Sequence, residues 1–443
     1  MNHHASTSPD PDILFYQSRT TLPLLKKTKG IYIRDEQDRE YIDASSGAMI
    51  CNIGHSDPRI LEAINRQAES TFFAYRTQFE NRPALDLAQA LVEHMPQDVN
   101  RIFYVSGGSE AVESAIKLCR QHFWHSGQKG RHIFISRSPS YHGSTMGALA
   151  LTTYAPLEIP FRPMFQRYPK IPAPYCYRCP YHRTYPECGL ECALALEETI
   201  LQQGPESVAA FVTEPIGGAS IGALVPPEDY FQVIQSICRK YGIMLILDEV
   251  MTGFGRTGAM FALEHWDIAP DIVALSKGMG SGYMPLGGIV TRKDIVDPVL
   301  AGGGFMHGFT SAGNPMACAV GLKVLNILEE DGLVDNAALQ GANLLQGLRD
   351  LAAKHSIIGQ VRGKGLLTAL ELVQDRDKRT PFDPEQGMNA FAQGLIIYPR
   401  RPIHGLSGDH VLIAPPLIVT REQVQEILHR LDKALEAVKR EFG

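Results

Sequence analysis

No apolar run in this 443-residue chain approaches the ~18 residues that a membrane-spanning helix needs, so a helical membrane protein is excluded. Net positive charge is missing too. The 42 Lys and Arg stand against 48 Asp and Glu, a balance of −6 that argues against nucleic acid as a partner. Cysteine is scarce, with 8 in all, far below the density of a disulfide scaffold. The opening stretch, 1–12, is polar and has no apolar core of a signal peptide. There is no internal repeat and no long low-complexity tract. These absences predict a cytoplasmic protein with mostly reduced thiols, away from membranes. What is present is an ordinary globular balance, 44% hydrophobic and 20% charged, enough to bury a large core.

Short apolar runs alternate with helical stretches along the chain. Residues 1–30 read as a loosely ordered lead-in, and 30–43 as a short hairpin. Asp57-Pro58 reads as N-cap and first position of a helix running to about Ser70. Strands are predicted over 101–105, 133–135, 208–212, 243–247, 272–275 and 287–290, with a helix over Ser109 to about His122. Such runs separated by helices imply a mainly parallel sheet covered on both faces. After about residue 325 long charged helices dominate, with strand-like pieces at 366–373 and 411–413 and an amphipathic helix over roughly 420–440.

The strongest chemical signal is Leu245-Ile246-Leu247-Asp248-Glu249-Val250, running into the glycine-rich Thr252-Gly253-Phe254-Gly255-Arg256. In an open α/β sheet, ligands bind beyond the carboxyl ends of the strands, where Asp248 falls. Ser276-Lys277-Gly278 follows the next predicted strand. A lysine and an acid at neighbouring strand ends are what pyridoxal phosphate requires: an amine to hold it as a Schiff base and a carboxylate to keep its ring nitrogen protonated. Alone, Lys277 would read as a surface lysine and Asp248 as a satisfied strand-end acid. The pair in this context reads as chemistry. Gly107-Gly108-Ser109 at a strand-to-helix turn suits a phosphate, although a plain N-cap at Ser109 explains it about as well. Tyr141, in Ser140-Tyr141-His142-Gly143, could stack on a flat ring or pack on the core.

Taken together, these pieces resemble the class III aminotransferases of PLP fold type I, in particular the ω-amino-acid and amine transaminases. The resemblance covers about 15–440. Its most specific part is Leu245 to Gly282, joined by Gly107 to Ala111, Tyr141-His142-Gly143, Glu214-Pro215 and Gly308-Phe309-Thr310. It implies an α/β fold: a large domain with a mainly parallel seven-stranded sheet over 56–325, and a smaller α+β domain from 1–55 and 326–443. It also implies pyridoxal phosphate carried on Lys277, with Asp248 on the ring nitrogen, and Tyr141 and Val250 on the two ring faces. Gly107, Gly108 and Ser109 would bind the phosphate, and His142 and Glu214 would line the site. Thr310 would reach the phosphate of a neighbouring subunit in a homodimer, with a tetramer as a further possibility. The implied reaction is ping-pong transfer of an amino group from an amine or ω-amino acid to a keto acid. The same motifs serve aminomutases, racemases and decarboxylating transaminases; a decayed, non-catalytic fold would have lost cofactor positions, and none is lost.

The substrate side departs from the family pattern. The Gln that often lies two residues after Glu-Pro in users of 2-oxoglutarate is replaced by Gly217, which leans towards pyruvate. No Arg stands just before Gly408-Asp409-His410; Arg400 or Arg401, a few residues upstream, could clamp the keto-acid carboxylate, or both are solvated loop arginines. Met49 and Ile50 fall where larger aromatics can occur in relatives, which hints at a roomier pocket; Phe15, Tyr16 and Tyr75 are candidates for its wall or pack on core or surface. Cys176, Cys179, Cys188 and Cys192 lie in a proline-rich insertion at about 172–192. They resemble a zinc knot, but the second pair is spaced CxxxC and His182 confuses the ligand count. Reduced or disulfide-linked cysteines, with no metal, are the expectation.

Overall fold

The computed structural model describes residues 15, 22–382, 393–401, 403 and 405–442. Strands β1 (Leu25–Lys29), β2 (Tyr32–Asp35) and β3 (Glu40–Asp43) form an antiparallel meander. The hairpin expected over 30–43 is β2–β3. The lead-in, expected to be loose, contributes β1. That strand is a lysine-rich edge with no buried alternate face, so it carries no period-2 signal.

The central sheet has seven strands: β4 (Val99–Val105), β5 (Ile133–Ser138), β6 (Lys170–Pro172), β7 (Val208–Thr213), β8 (Met244–Asp248), β9 (Ile272–Leu275) and β10 (Gly287–Arg292). Their order is β4-β10-β9-β8-β7-β5-β6. The run β9-β8-β7-β5-β6 is parallel, and β10 is antiparallel to both β9 and β4. Every residue of β7, β8 and β9 is buried, as expected for strands covered on both faces. Two glycines open β10 because its backbone runs close to both neighbours. A Cβ on Gly287 would sit 3.0 Å from the Leu275 carbonyl oxygen, and one on Gly288 3.0 Å from that of Phe103. β6, three residues ending in proline, is too short to read from sequence.

The helix Pro58–Ser70 has the expected cap, with the Asp57 side chain accepting the Arg59 N–H. The helix read from Ser109 starts one residue earlier: it spans Gly108–His125, with Gly107 at the N-cap. Past the helices Pro315–Glu330 and Leu333–Lys354 come β11 (Ile358–Lys364), β12 (Leu367–Asp375), β13 (Thr380–Pro381), β14 (Leu395–Ile396), β15 (Tyr398–Arg400) and β16 (Asp409–Ile413), then the helix Arg421–Phe442. β11-β12-β16-β15 form one sheet, and β14 pairs in parallel with β3, bringing both ends of the chain into one layer. Arg256 ties these parts together. It is fully buried and donates to the carbonyls of Pro415 (2.5 Å) and Leu366 (3.3 Å), to Ser46 Oγ (3.1 Å) and to Asn52 Oδ1 (2.8 Å).

Candidate active site

A cavity of about 140 Å³ opens where β8 and β9 end side by side, the position at which a parallel sheet presents side chains to a ligand. It is lined by Gly108, Ser109, Tyr141, His142, Gly143, Glu214, Ile216, Asp248, Val250, Met251, Thr252 and Lys277. Eight of the positions singled out from sequence therefore meet in one place: Lys277, Asp248, Gly108, Ser109, Tyr141, His142, Glu214 and Val250.

Lys277 leaves β9 with φ +43°, in the left-handed region that costs a non-glycine residue of order 1–3 kcal/mol. Its surroundings hold it there. The Lys277 carbonyl accepts from Gly280 N–H (3.1 Å) and Ser281 N–H (2.9 Å), and the preceding Ser276 hydroxyl donates to the Leu286 carbonyl. Burial lowers the Lys277 amine to about 8, with Asp248 and Glu214 pulling it partly back up. Asp248 is buried, and its two oxygens are fixed separately. Oδ1 accepts the Val250 N–H at 3.1 Å, and Oδ2 lies 2.8 Å from His142 Nδ1. Glu214, at the end of β7, is raised by burial, offset by His142 and Arg137, and its Oε1 accepts the Gly218 N–H.

The opposite wall is the start of the helix Gly108–His125. Its N-cap, Gly107, provides no side-chain partner, so the first helical N–H groups are available to an anion. Ser109 Oγ accepts from Ser144 N–H at 3.0 Å, which leaves its own proton free to donate. Two glycines keep the wall open. A Cβ on Gly108 would strike Val250 Cγ1 at 2.7 Å, and one on Gly143 (φ +134°) would strike Ser109 Oγ at 2.6 Å. Gly143 and Thr252 figured in the sequence only as members of the Tyr141-His142-Gly143 and Thr252 to Arg256 motifs, not as site residues. Ile216 and Met251 were not read from sequence; they are apolar residues beside a motif, with no signal of their own.

The remaining expected residues lie outside this lining. Gly107 sits behind it as the helix cap. Thr310 and Tyr75 are exposed, and Phe15 is 97% exposed. Met49 does the opposite: at 1% exposure it packs into the main core, because its left-handed backbone (φ +55°) turns it inward. Ile50 is half-buried beside it, and Tyr16 lies outside the described residues. Arg400 stacks on the Tyr398 ring, 4.2 Å from its centroid. Arg401 donates its backbone N–H to Tyr154 Oη at 3.4 Å, and its charge pulls down Asp409, which burial raises to about 6.

Residues 15–435 match the class-III aminotransferase family. The chain belongs to that family. An aminotransferase of Bacillus subtilis, YodT, itself uncharacterized, is 39% identical, over 94% of this chain and 96% of its own length. A putrescine–pyruvate aminotransferase of Pseudomonas aeruginosa is 35% identical, over 93% and 90%. A solved amine transaminase from an uncultivated Pseudomonas species, in its PLP-bound (internal aldimine) form, superposes with a TM-score of 0.88 at 34% identity, covering 99% of this chain and 98% of the other. The sheet order and covering helices described above are those of a fold-type I class III aminotransferase. The cofactor of that family is pyridoxal phosphate, and the cavity suits it: an amine and a carboxylate on one floor, an open helix start for a phosphate, and a slot bounded by Tyr141 and Val250. Among the described residues, no helix is long and apolar enough to cross a membrane.

Proposed function

We propose that this class III aminotransferase carries pyridoxal phosphate on Lys277 and moves an amino group from an amine or ω-amino acid to a keto acid, pyruvate, in a ping-pong cycle. One observation carries the reading: Lys277 and Asp248 share a single cavity with an uncapped helix start. When bound, the cofactor supplies a protonated ring that withdraws the electrons released as the substrate C–H bond breaks. Asp248, held by the Val250 N–H and by His142, keeps its carboxylate aimed at the ring nitrogen's proton. Gly108 and Ser109 bind the phosphate, with Gly107 shaping the turn, while Tyr141 and Val250 bound the ring. Lys277 Nζ, lowered to about 8 by burial, has a neutral fraction near physiological pH and serves as general base and then acid at the substrate carbon. Glu214 stands at the substrate side.

Gly217 supports pyruvate over 2-oxoglutarate. A Cβ there would meet Ile221 Cγ2 at 2.5 Å and Leu224 Cβ at 3.1 Å, so the Gln of 2-oxoglutarate users has no room without a shift of that turn. The carboxylate clamp falls to Arg400 or Arg401. The working unit is a homodimer or a higher assembly in the cytoplasm, with Thr310 completing the phosphate site of the partner; its exposure in the single chain is compatible with that role. The division into 1–55, 56–325 and 326–443 follows the same reading, with β3 and β14 joining the two outer pieces.

The test is an absorbance spectrum of the purified protein. A yellow band that amines or ω-amino acids bleach, and that pyruvate restores, is the expected result. A colourless protein that takes up no pyridoxal phosphate ends the proposal, and restoration by 2-oxoglutarate alone ends the assignment of the acceptor.

A further inference from the structure

Four cysteines of the 172–192 segment face one small cavity. Cys176, Cys179, Cys188 and Cys192 line it together, with Arg183, Tyr185 and Glu191 around them, and all four are free thiols. The cofactor cavity uses none of them.

The segment around them has little regular structure of its own. From Pro174 to Leu190 its regular structure is the single short turn Cys176–Arg178. A stretch of this length inside a compact domain needs something besides an apolar core to hold it. It is already braced. Arg178 Nε lies 2.6 Å from Glu371 of β12, whose other oxygen takes Arg362 Nη1 at 2.7 Å. Tyr177 packs where Gly359 leaves space. Tyr185 Oη donates to Asp229 at 3.1 Å. Gly189 turns the chain at φ +58° immediately after Cys188.

We propose that Cys176, Cys179, Cys188 and Cys192 form a tetrathiolate site for one zinc ion, which staples the 172–192 segment to the body of the enzyme. Both pairs, CxxC and CxxxC, fall within the C-x2–4-C spacing of structural zinc sites, and four sulfurs satisfy a tetrahedral d10 ion with no open position. His182 is not required. Soft thiolates at this number favour zinc over the hard cations that carboxylates hold. A divalent cation at the centre drives the protons off the four thiols and offsets the mutual repulsion of the thiolates.

The sulfurs share the cavity without having closed on its centre. Among the described residues, the ligating atoms already within 4.8 Å of one another in a group of three belong to Asp43, Cys51 and His55. That trio is committed otherwise: Asp43 accepts from Ser45 N–H, Gly47 N–H and His55 Nε2. Zinc at the four cysteines acts by drawing the side chains inward through χ1 rotation on a backbone the braces hold.

The test is metal content by mass spectrometry of the full chain purified from zinc-replete cells. The expected result is about one zinc per chain, unchanged in Lys277→Ala and Cys51→Ser and at background in Cys179→Ser and Cys192→Ser. A mercurial titration of the wild-type chain, which needs no variant to fold, releases that zinc to a chromogenic chelator as the thiols react. Wild-type chain without metal and with four reactive thiols overturns the proposal. So does a segment closed by two disulfides, or iron in place of zinc.

Discussion

Lys277 and Asp248 stand at the ends of strands whose every residue is buried, whereas Phe15, Tyr75 and Thr310 stand on exposed surface of the same chain. The floor of the site is fixed by neighbours that parallel pairing supplies: Asp248 pairs across to Ala274, three residues before Lys277. The expected substrate wall has no such frame. Its residues come from the lead-in, from surface loops and from β15, and the one that is well packed, Met49, faces the core. On the proposed reading, reaction type is carried by the sheet, and substrate choice by segments that the sheet does not hold. The two can vary separately.

Lys277→Ala tests the floor most severely. Loss of both covalent attachment and proton transfer should lower turnover by about 10²–10⁴-fold or more, and remove the yellow band; a wild-type rate would break the comparison at its root. Asp248→Asn should cost about 10²-fold or more in kcat, because a neutral amide cannot hold the ring proton, with the protein still folded and coloured. Gly143→Ala probes the opposite wall. A Cβ 2.6 Å from Ser109 Oγ, at a φ that disfavours alanine, should cost ~1–3 kcal/mol in urea unfolding and weaken cofactor retention.

The cofactor-free chain offers a pH signature of the same floor. Folding lowers the Lys277 amine from its ordinary 10.5 to about 8. Between those values the unfolded chain holds the proton and the folded chain does not, so stability should rise with pH across that window and be flat in Lys277 below it. Urea midpoints at pH 7.5, 9 and 10 check this, and Lys277→Met should flatten that part of the slope. The smallest effect belongs to the rim. Arg400→Ala and Arg401→Ala should differ, with one raising KM for the keto acid by about tenfold while leaving the amine half-reaction intact. If neither does, the clamp lies elsewhere.

The same contrast decides what sequence alone could reveal. The strands at 208–213, 244–248 and 272–275 were legible because burial on both faces demands continuous apolar runs, and Asp248 and Lys277 because polar residues interrupt those runs at their ends. β1 was not, since an exposed lysine-rich edge owes its conformation to pairing with β2 rather than to its own pattern. The inward turn of Met49 depends on a left-handed backbone that no residue type announces. The lining roles of Ile216 and Met251 come from tertiary placement, and an apolar residue near a motif has no way to signal that.

Arg256 carries an implication for how the protein is made. The hydrogen bonds of its two Nη atoms reach residues 46, 52, 366 and 415, so its partners leave the ribosome at widely separated times. Until Pro415 has emerged, a nascent chain that packed its central sheet would bury a charge lacking its shortest hydrogen bond, a costly state. Docking of residues 46–52 and 366–415 onto the sheet therefore becomes favourable only once Pro415 is available, which couples the closing of these distant parts into one step.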